Sequence, residues 1–320
     1  MGKINSEAYL YATGRIRVME TRMIGTSSLD RLIDAKTDLE AYKVFGDMGL
    51  ELPGDETTAE DILAKSRETT FRELESFLPD KRLLLLFRIK YDYHNLKAAF
   101  KAPDRLAALY MPAGTWSIER VRKIAAEEYE GLSESAASGI REARETYTRT
   151  GDPQLLDFAL DRVMFAECLN IAAEMGLQTV IGYVKLLIDR ANLISYVRAR
   201  RLGRGYHMLR QVLIPGGNCD TTELLHDTTG DSLAKVFGKV LPESVDAARE
   251  TLSGTGSVTR VEQAGERRTE AYIKDAARQT FGEGVALSYL YGQELALQRV
   301  RVILAGRRGG LTPAQLRERL

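Results

Sequence analysis

Two aspartate–asparagine pairs are the residues of this sequence whose type and spacing come closest to a site. Asp92 and Asn95 lie three residues apart, and Asp189 and Asn192 repeat the pair. On a helix, such residues share one face. A buried amide must find hydrogen-bond partners or cost about 1–3 kcal/mol, so we favour the interpretation that the asparagines bond to neighbouring helices. The alternative is that these faces line a central surface that binds another protein.

The motifs of enzymatic sites are incomplete in this chain. Gly238 and Lys239 lack the remainder of a phosphate-binding loop. The segment 254–256 lacks the third glycine of a dinucleotide-binding turn. Ser232 and Lys235 match the Ser-x-x-Lys of penicillin-binding enzymes without its two companion motifs. We therefore expect no catalytic residue and no cofactor.

The histidines give no metal-binding pattern. His94, His207 and His226 are scattered, and Glu223 with His226 has the spacing of one di-iron ligand pair. Such a site in a helical bundle needs a second copy of the pair, which the sequence lacks. An Asp-Asp-x-x-Asp cluster, which helical prenyl-diphosphate enzymes use for magnesium, is also missing. We predict no metal site.

The elements that carry the two pairs are helices, and they recur along the chain. The segment Gly182–Gly203 has apolar residues at three- and four-residue steps, which predicts one long helix. Lys90–Ala102 repeats its core, and Glu294–Gly306 is a weaker third copy. In the third copy, the tripeptide Arg299-Val-Arg301 lies where the first copy has Asn-Leu-Lys and the second has Asn-Leu-Ile.

The spacing of these copies is nearly a third of the chain. Asn95 and Asn192 are 97 residues apart, and Arg299 follows 107 residues after Asn192. The pattern predicts three related helical lobes with pseudo-threefold symmetry. Their approximate bounds are 1–110, 111–210 and 211–320.

The rest of the chain also predicts an all-α fold. All eight prolines fall between periodic segments, as expected where proline breaks a helix interior. The first helix is predicted at Ser6–Ile24. Capping-box spacings predict further helix starts at Ser27–Asp30, Thr37–Glu40 and Thr57–Glu60. Asp152 and Thr312, each followed by proline, predict two more starts, and only Gln211–Pro215 favours a short extended segment.

Composition narrows the class of protein. Of the 320 residues 44% are apolar, enough for a large core in several parts. Lys plus Arg and Asp plus Glu number 45 each, a balance that disfavours a nucleic-acid-binding role. The apolar run Leu83–Phe87 is far short of a membrane span, and the chain has no secretory signal pattern. A soluble, cytoplasmic protein is expected, with Cys168 and Cys219 as reduced thiols.

Basic residues close several predicted helices. Lys97 and Lys101 are examples, and such residues suit the negative end of the helix dipole. We favour no further role for them; the alternative is contact with a partner protein or a phospholipid headgroup.

Short motifs in a fixed order are spread over nearly the whole length: Tyr11–Arg17, Lys90–Lys97, Ile188–Leu193, Phe281–Leu290, Glu294–Arg301 and Gly310–Leu320. Together they resemble one family, the C subunits of the bacterial and archaeal V-type (A/V-type) rotary ATPases, which are equivalent to the d subunit of the eukaryotic vacuolar enzyme. Arg299 departs from the asparagine expected in the third copy.

The resemblance implies a funnel-shaped, three-lobed rotor subunit without catalytic residues. Such a subunit lies on the cytoplasmic face of the membrane ring of c/K/L-type proteolipids and receives the central shaft, made of the D and F subunits. It thereby links ATP hydrolysis or synthesis to H⁺ or Na⁺ translocation. Candidate interface residues on the repeated helices are Asp92, Asn95, Asp189, Asn192, Arg299 and Arg301.

A free-standing helical-repeat adaptor is the alternative function. Helical repeats of that kind recur about every 34–47 residues. The much longer period in this chain argues against it.

Overall fold

The computed structural model describes residues 6–50, 59–203, 205–227 and 229–320, and every regular element in these ranges is a helix. The all-α prediction is confirmed. The chain divides into two compact units. The first comprises Met1–Leu84 with Ile273–Leu320, and the second comprises Leu85–Tyr272. The three lobes and their symmetry stay predictions.

Sixteen α-helices lie within the described ranges, together with three short 3-10 helices at Ser6–Tyr9, Pro103–Arg105 and Thr222–Leu225. In chain order the α-helices are α1 (Leu10–Glu20), α2 (Thr26–Asp34), α3 (Asp38–Asp47), α4 (Ala59–Glu75), α5 (Arg82–Lys101), α6 (Leu106–Leu109), α7 (Ile118–Ala125), α8 (Glu134–Thr150), α9 (Pro153–Met175), α10 (Gln178–Arg201), α11 (Tyr206–Val212), α12 (Ser232–Phe237), α13 (Pro242–Leu252), α14 (Val258–Ala276), α15 (Glu283–Arg308) and α16 (Pro313–Arg319).

The first unit is built on α15, which packs against α1, α2, α4 and α16. Its core includes Leu32, Phe45, Leu63, Leu297 and Val300, each at most 1% exposed. These side chains come from four helices. Their burial stabilises these amphipathic helices, since most helical stability in proteins comes from packing an apolar face.

The second unit is built on α10, which packs against α9, α11 and α13, while α8 packs along α9. Its core includes Leu193, Tyr196, Phe237, Val245 and Val261. The long helix predicted at Gly182–Gly203 is thus confirmed, beginning four residues earlier at Gln178.

Capping residues define helix starts as predicted at three positions. Asp152 is the N-cap of α9, and its Oδ1 accepts a hydrogen bond from a first-turn amide at 2.8 Å. Thr312 forms a reciprocal capping box with Gln315 at the start of α16. The Thr37 hydroxyl accepts a hydrogen bond from the Glu40 amide at the start of α3.

The capping box predicted at Ser27–Asp30 is wrong. Helix α2 begins at Thr26 with Gly25 in the N-cap position, and no side chain caps it. Ser27 and Asp30 therefore lie inside the helix. The start predicted at Thr57–Glu60 depends on residues 57 and 58, which lie outside the described residues.

Two predicted bounds also differ. The first helix does not run continuously over Ser6–Ile24: a turn of 3-10 helix precedes α1, which ends at Glu20. The extended segment predicted at Gln211–Pro215 is wrong at its start, because Gln211 and Val212 complete α11. Val212 is buried in the core of the second unit, and this packing favours the helix there.

Lys97 and Lys101 do more than complement a helix dipole. Their ammonium groups lie 2.6 Å from Asp161 and Asp157, respectively. Both aspartates belong to α9, so the pairs join α5 to α9. The expectation that these lysines have no further role is wrong.

No helix in the described part of the chain has a stretch both long and apolar enough to cross a bilayer. Cys168 and Cys219 are free thiols, as predicted.

Candidate functional site

The first aspartate–asparagine pair holds the loop that follows α6. Asn95 is fully buried on α5 and bonds to both polar groups of one residue. Its Nδ2 donates to the Met111 carbonyl at 2.9 Å, and its Oδ1 accepts from the Met111 amide at 2.8 Å. A side-chain amide thus pairs with a backbone peptide as a neighbouring strand would, and both groups are satisfied.

Asp92 holds the far end of the same loop. Its Oδ1 accepts hydrogen bonds from the amides of Thr115 at 2.7 Å and Trp116 at 2.8 Å. Its Oδ2 accepts from the Thr115 hydroxyl at 2.8 Å. We call the pair Asp92 and Asn95, with the loop 111–116 that it holds, the first loop clamp.

The second pair makes the same arrangement on α10. Asn192 donates to the Ile214 carbonyl at 2.8 Å and accepts from the Ile214 amide at 2.7 Å. Asp189 accepts from the amides of Asn218 at 3.1 Å and Cys219 at 3.0 Å, and from the Asn218 side chain at 2.8 Å. We call Asp189 and Asn192, with the loop 214–219, the second loop clamp.

A glycine completes each loop clamp. A Cβ atom placed on Gly114 would lie 2.2 Å from Asp92 Oδ1, and one on Gly217 would lie 2.2 Å from Asp189 Oδ1. Real Cβ atoms do not approach so closely, so only glycine allows the carboxylate to reach the loop. In both loops this glycine lies two residues after a proline.

The close contact of Gly114 and Gly217 with the aspartates was not predicted from the sequence. The signal that could have found them is the shared pattern Met111-Pro-Ala-Gly and Ile214-Pro-Gly-Gly. Asn95 precedes its loop partner by 16 residues, but Asn192 precedes its partner by 22. The insertion hides the common pattern in a repeat search with a fixed spacing.

Burial sets the electrostatics around the first loop clamp. Burial raises the pKa of Asp92, although hydrogen bonds from Trp116 and Thr115 and the nearby Arg88 oppose the rise. Burial likewise raises the pKa of Glu167, which accepts a hydrogen bond from the Tyr93 hydroxyl. The carboxylates here are acceptors for groups within the fold.

The two cysteines are poor nucleophiles. Burial raises the pKa of Cys168 to about 12, and Glu167 adds to the rise. Burial also raises the pKa of Cys219 to about 12, with a further rise from Asp189. Since the thiolate is the reactive form, neither thiol is activated at neutral pH.

The third copy of the repeat lacks this arrangement of side chains. Arg299 is half-buried on α15, and Arg301 forms an ion pair with Glu60 on α4. Further along α15, the Arg307 guanidinium donates to backbone carbonyls that include those of Leu32 and Ala35 at the end of α2. Arg301 and Arg307 therefore join α15 to other helices of the first unit.

Other residues singled out by the sequence lie apart from the loop clamps. The Lys235 ammonium forms an ion pair with the Glu223 carboxylate at 2.5 Å. His226 stacks at an angle on Tyr206, with ring centroids 5.3 Å apart. Among the residues that the structure describes, no group of histidine, cysteine and acidic side chains has a metal-binding arrangement.

Comparison with known proteins places the chain in a family. Residues 12–319 match the sequence profile of the ATP synthase (C/AC39) subunit family. The C subunit of the V-type sodium ATPase of Enterococcus hirae is 22% identical, covering 81% of this chain and 80% of that protein. The C subunit of the A-type ATP synthase of Thermococcus onnurineus is 24% identical, covering 97% of this chain and 89% of that protein. The corresponding subunit of Methanocaldococcus jannaschii is 22% identical, covering 99% of this chain and 87% of that protein. The chain therefore belongs to the ATP synthase (C/AC39) subunit family, which includes the C subunits of V-type and A-type enzymes.

Proposed function

We propose that this protein is a non-catalytic rotor subunit that couples the central shaft, made of the D and F subunits, to the membrane ring of proteolipids. In this role it passes torque between the two, so that ATP hydrolysis or synthesis is linked to H⁺ or Na⁺ translocation. The observation that carries the proposal is the family match over residues 12–319, nearly the whole chain.

The packing supports a mechanical role. A torque coupler must not deform under load, and close-packed interiors have low compressibility. In each loop clamp, two nearly fully buried polar side chains hold one loop in place. The exposed fractions of Asp92, Asn95, Asp189 and Asn192 are 0–2%. Loops of a coupler would otherwise be its most compliant parts.

The interface candidates take different roles within this proposal. The four buried side chains of the loop clamps would act through the loops that they position. Arg301 is half-buried and ion-paired with Glu60, and Arg299 lies two residues earlier on the same helix. These two arginines would contribute directly or by orienting α15.

We place the protein at the cytoplasmic face of the cell membrane, as a peripheral part of the complex. It would bind the ring and the shaft, and no nucleic acid. The balanced charge of 45 basic and 45 acidic residues agrees with partners that are proteins.

Affinity purification from membranes tests the proposal. A tagged full-length chain, expressed in its own host and extracted in mild detergent, should bring down both shaft and ring proteins. Recovery of a monomer without either partner would overturn the proposal. Alanine replacement of Arg301, with binding of the purified D–F complex as the measurement, tests whether α15 contributes to the shaft contact.

A further inference from the structure

Helix α1 is apolar on two opposite faces. Its inner face buries Ala12, Ile16 and Met19, none more than 8% exposed. Its outer face carries Leu10 and Val18, which are 55% and 59% exposed. A helix at the surface of a monomer normally presents polar residues to solvent, so the outer face needs another explanation than the core.

The exposed residues form one continuous patch. Tyr11, 66% exposed, lies beside Leu10, and Gly14 lies between Leu10 and Val18 at four-residue steps along the helix. Residues at this spacing share a face. Exposed apolar residues scattered singly need no explanation, but a contiguous patch marks an interaction site.

The patch is concave. A groove of about 510 Å³ runs along α1, with Leu10, Tyr11, Gly14 and Val18 in its lining. A Cβ atom built on Gly14 would meet nothing within 4 Å, so the glycine leaves the middle of the groove open.

One wall of the groove is held in place by aromatic contacts. The rings of Tyr11 and Phe77 meet edge to face with centroids 6.5 Å apart. The Arg15 guanidinium lies 4.4 Å from the Phe77 ring centroid, and its Nη2 is 3.6 Å from Glu73. A wall that is ordered before binding lowers the entropy cost of association.

The rim of the groove is basic on balance. Arg15 and Arg22 both line it, against the single carboxylate of Glu73. Since Arg15 is already paired with Glu73, the exposed Arg22 supplies the charge that a partner would meet. A partner with carboxylates beside an apolar stripe complements this rim.

We propose that the outer face of α1 is a docking groove for an amphipathic helix of another protein of the ATPase complex, with acidic residues flanking the apolar stripe of that helix. This inference rests on the proposed function, because the partner is taken to be a subunit of that complex. From Leu10 to Val18 the groove spans eight helical residues, about 12 Å, which suits two turns of a packed helix. Gly14 allows the two backbones to approach closely, as small residues do where helices cross.

A protein helix fits this face better than a lipid surface. Residues that enter a bilayer interface must protrude, whereas Gly14 lies in a groove.

Filling the groove tests the proposal without removing any contact of the fold. Gly14→Leu should leave the folded protein intact, because its Cβ meets nothing and glycine is a poor residue within a helix. Gly46→Leu is the matched control: Gly46 is also exposed, helical and open, but it lies on α3 away from the groove. Thermal unfolding of both variants should show midpoints no lower than wild type.

Binding to the purified D–F complex and to the detergent-solubilised ring is then measured for each variant. We expect Gly14→Leu to weaken binding to one of these partners at least tenfold, and Gly46→Leu to bind both as wild type does. Arg22→Glu should weaken the same interaction through charge repulsion. Binding of Gly14→Leu equal to wild type would overturn the groove alone, whereas a wild-type chain that binds neither partner would overturn the coupling role as well. Binding of wild type to phosphatidylglycerol vesicles that Gly14→Leu abolishes, with both protein partners bound normally, would overturn the helix as occupant.

Discussion

Asn192 hydrogen-bonds to both the amide and the carbonyl of the buried Ile214, so replacing it should lower the stability of the second unit. Asn192→Ala leaves the amide and the carbonyl of Ile214 buried without partners. Each such group costs about 1–3 kcal/mol, so we expect the free energy of unfolding to fall by about 3 kcal/mol. Denaturant titration followed by circular dichroism measures the loss.

Asn170→Ala provides the control for that loss, since Asn170 is an exposed asparagine within α9. Surface substitutions of this kind change stability by about 0.5 kcal/mol or less. Equal stability of the two variants would mean that the Asn192 amide contributes nothing to holding its loop.

Asp227 gives a pH-dependent contribution to stability. Burial alone would raise its pKa, but hydrogen bonds from the Gly230 amide, the Tyr196 hydroxyl and the amides of Ser232 and Thr229 outweigh burial, and the pKa lies below its usual value. The pKa of an aspartate in an unfolded chain is about 3.9. Between that pH and the lower folded pKa, the unfolded state binds more protons, so stability rises with pH.

The stabilisation from ionised Asp227 is therefore complete above about pH 5 and is lost as the pH falls through the folded pKa. We expect Asp227→Asn to be less stable than wild type at pH 7, and the gap to narrow below about pH 4. Unfolding free energies of both proteins, measured from pH 3 to pH 7, give the comparison. A gap that is constant with pH, or that widens in acid, would contradict the lowered pKa.

The packing of α4 on α15 contains a buried ion pair. Arg67 Nε lies 2.8 Å from Glu294 Oε1, with the two side chains 6% and 9% exposed. Removing one partner takes away the buried opposite charge that faces the other, so Arg67→Met should cost about 3–5 kcal/mol. The double variant with Glu294→Leu should cost less than the sum of the single variants, because both charges of the pair are then absent from the interior.

An exposed pair on the same helix serves as the control for this cycle. Arg72 and Glu68 are i, i+4 neighbours on α4, with side chains 72% and 58% exposed. Exposed pairs are screened by water, and Arg72→Met should cost no more than about 0.5 kcal/mol. Additive costs of the Arg67 and Glu294 variants would show that the two charges do not stabilise each other.

The sequence predicts helices well where the determinants are local. Asp152 and Thr312 start their helices as predicted, because a capping side chain and the following proline act within one turn. At Ser27 the same reasoning fails: the residue pattern fits a cap, but α2 starts at Thr26, where packing of Leu29 and Leu32 sets the helix. Local propensity yields to tertiary packing at such positions.

The loop clamps show which part of a site cannot be predicted from local patterns. The buried, hydrogen-bonded state of Asn95 and Asn192 follows from the chemistry of an amide on a core-facing helix, and the structure places both there. Their partners, Met111 and Ile214, lie in loops whose distance along the chain differs between the copies. Only the folded chain shows that a loop, rather than a neighbouring helix, receives the bonds.

In the proposed function, the two loop clamps would stiffen a subunit that transmits torque. Its family relatives are named as the C subunits of a V-type sodium ATPase and of A-type ATP synthases. In the proposed role, the free energy passed between shaft and ring is stored briefly as strain in this protein. Any segment that opens at low cost would yield first and release that strain.

Weakening one loop clamp should therefore reduce coupling before it reduces ATP hydrolysis. Met111 is half-buried, so Asn95→Ala should cost about 2 kcal/mol, which raises the population of the opened 111–116 loop about thirtyfold. In a reconstituted complex we expect ATP hydrolysis near the wild-type rate with fewer ions moved per ATP, measured by parallel hydrolysis and ion-uptake assays in vesicles. The Asn170→Ala complex should match wild type in both assays. The contrary result is an Asn95→Ala complex that assembles and moves the wild-type number of ions per ATP hydrolysed. That result would mean that the loop clamps stabilise the fold without serving torque transfer, because a loop that yields under torque would lower the number of ions moved.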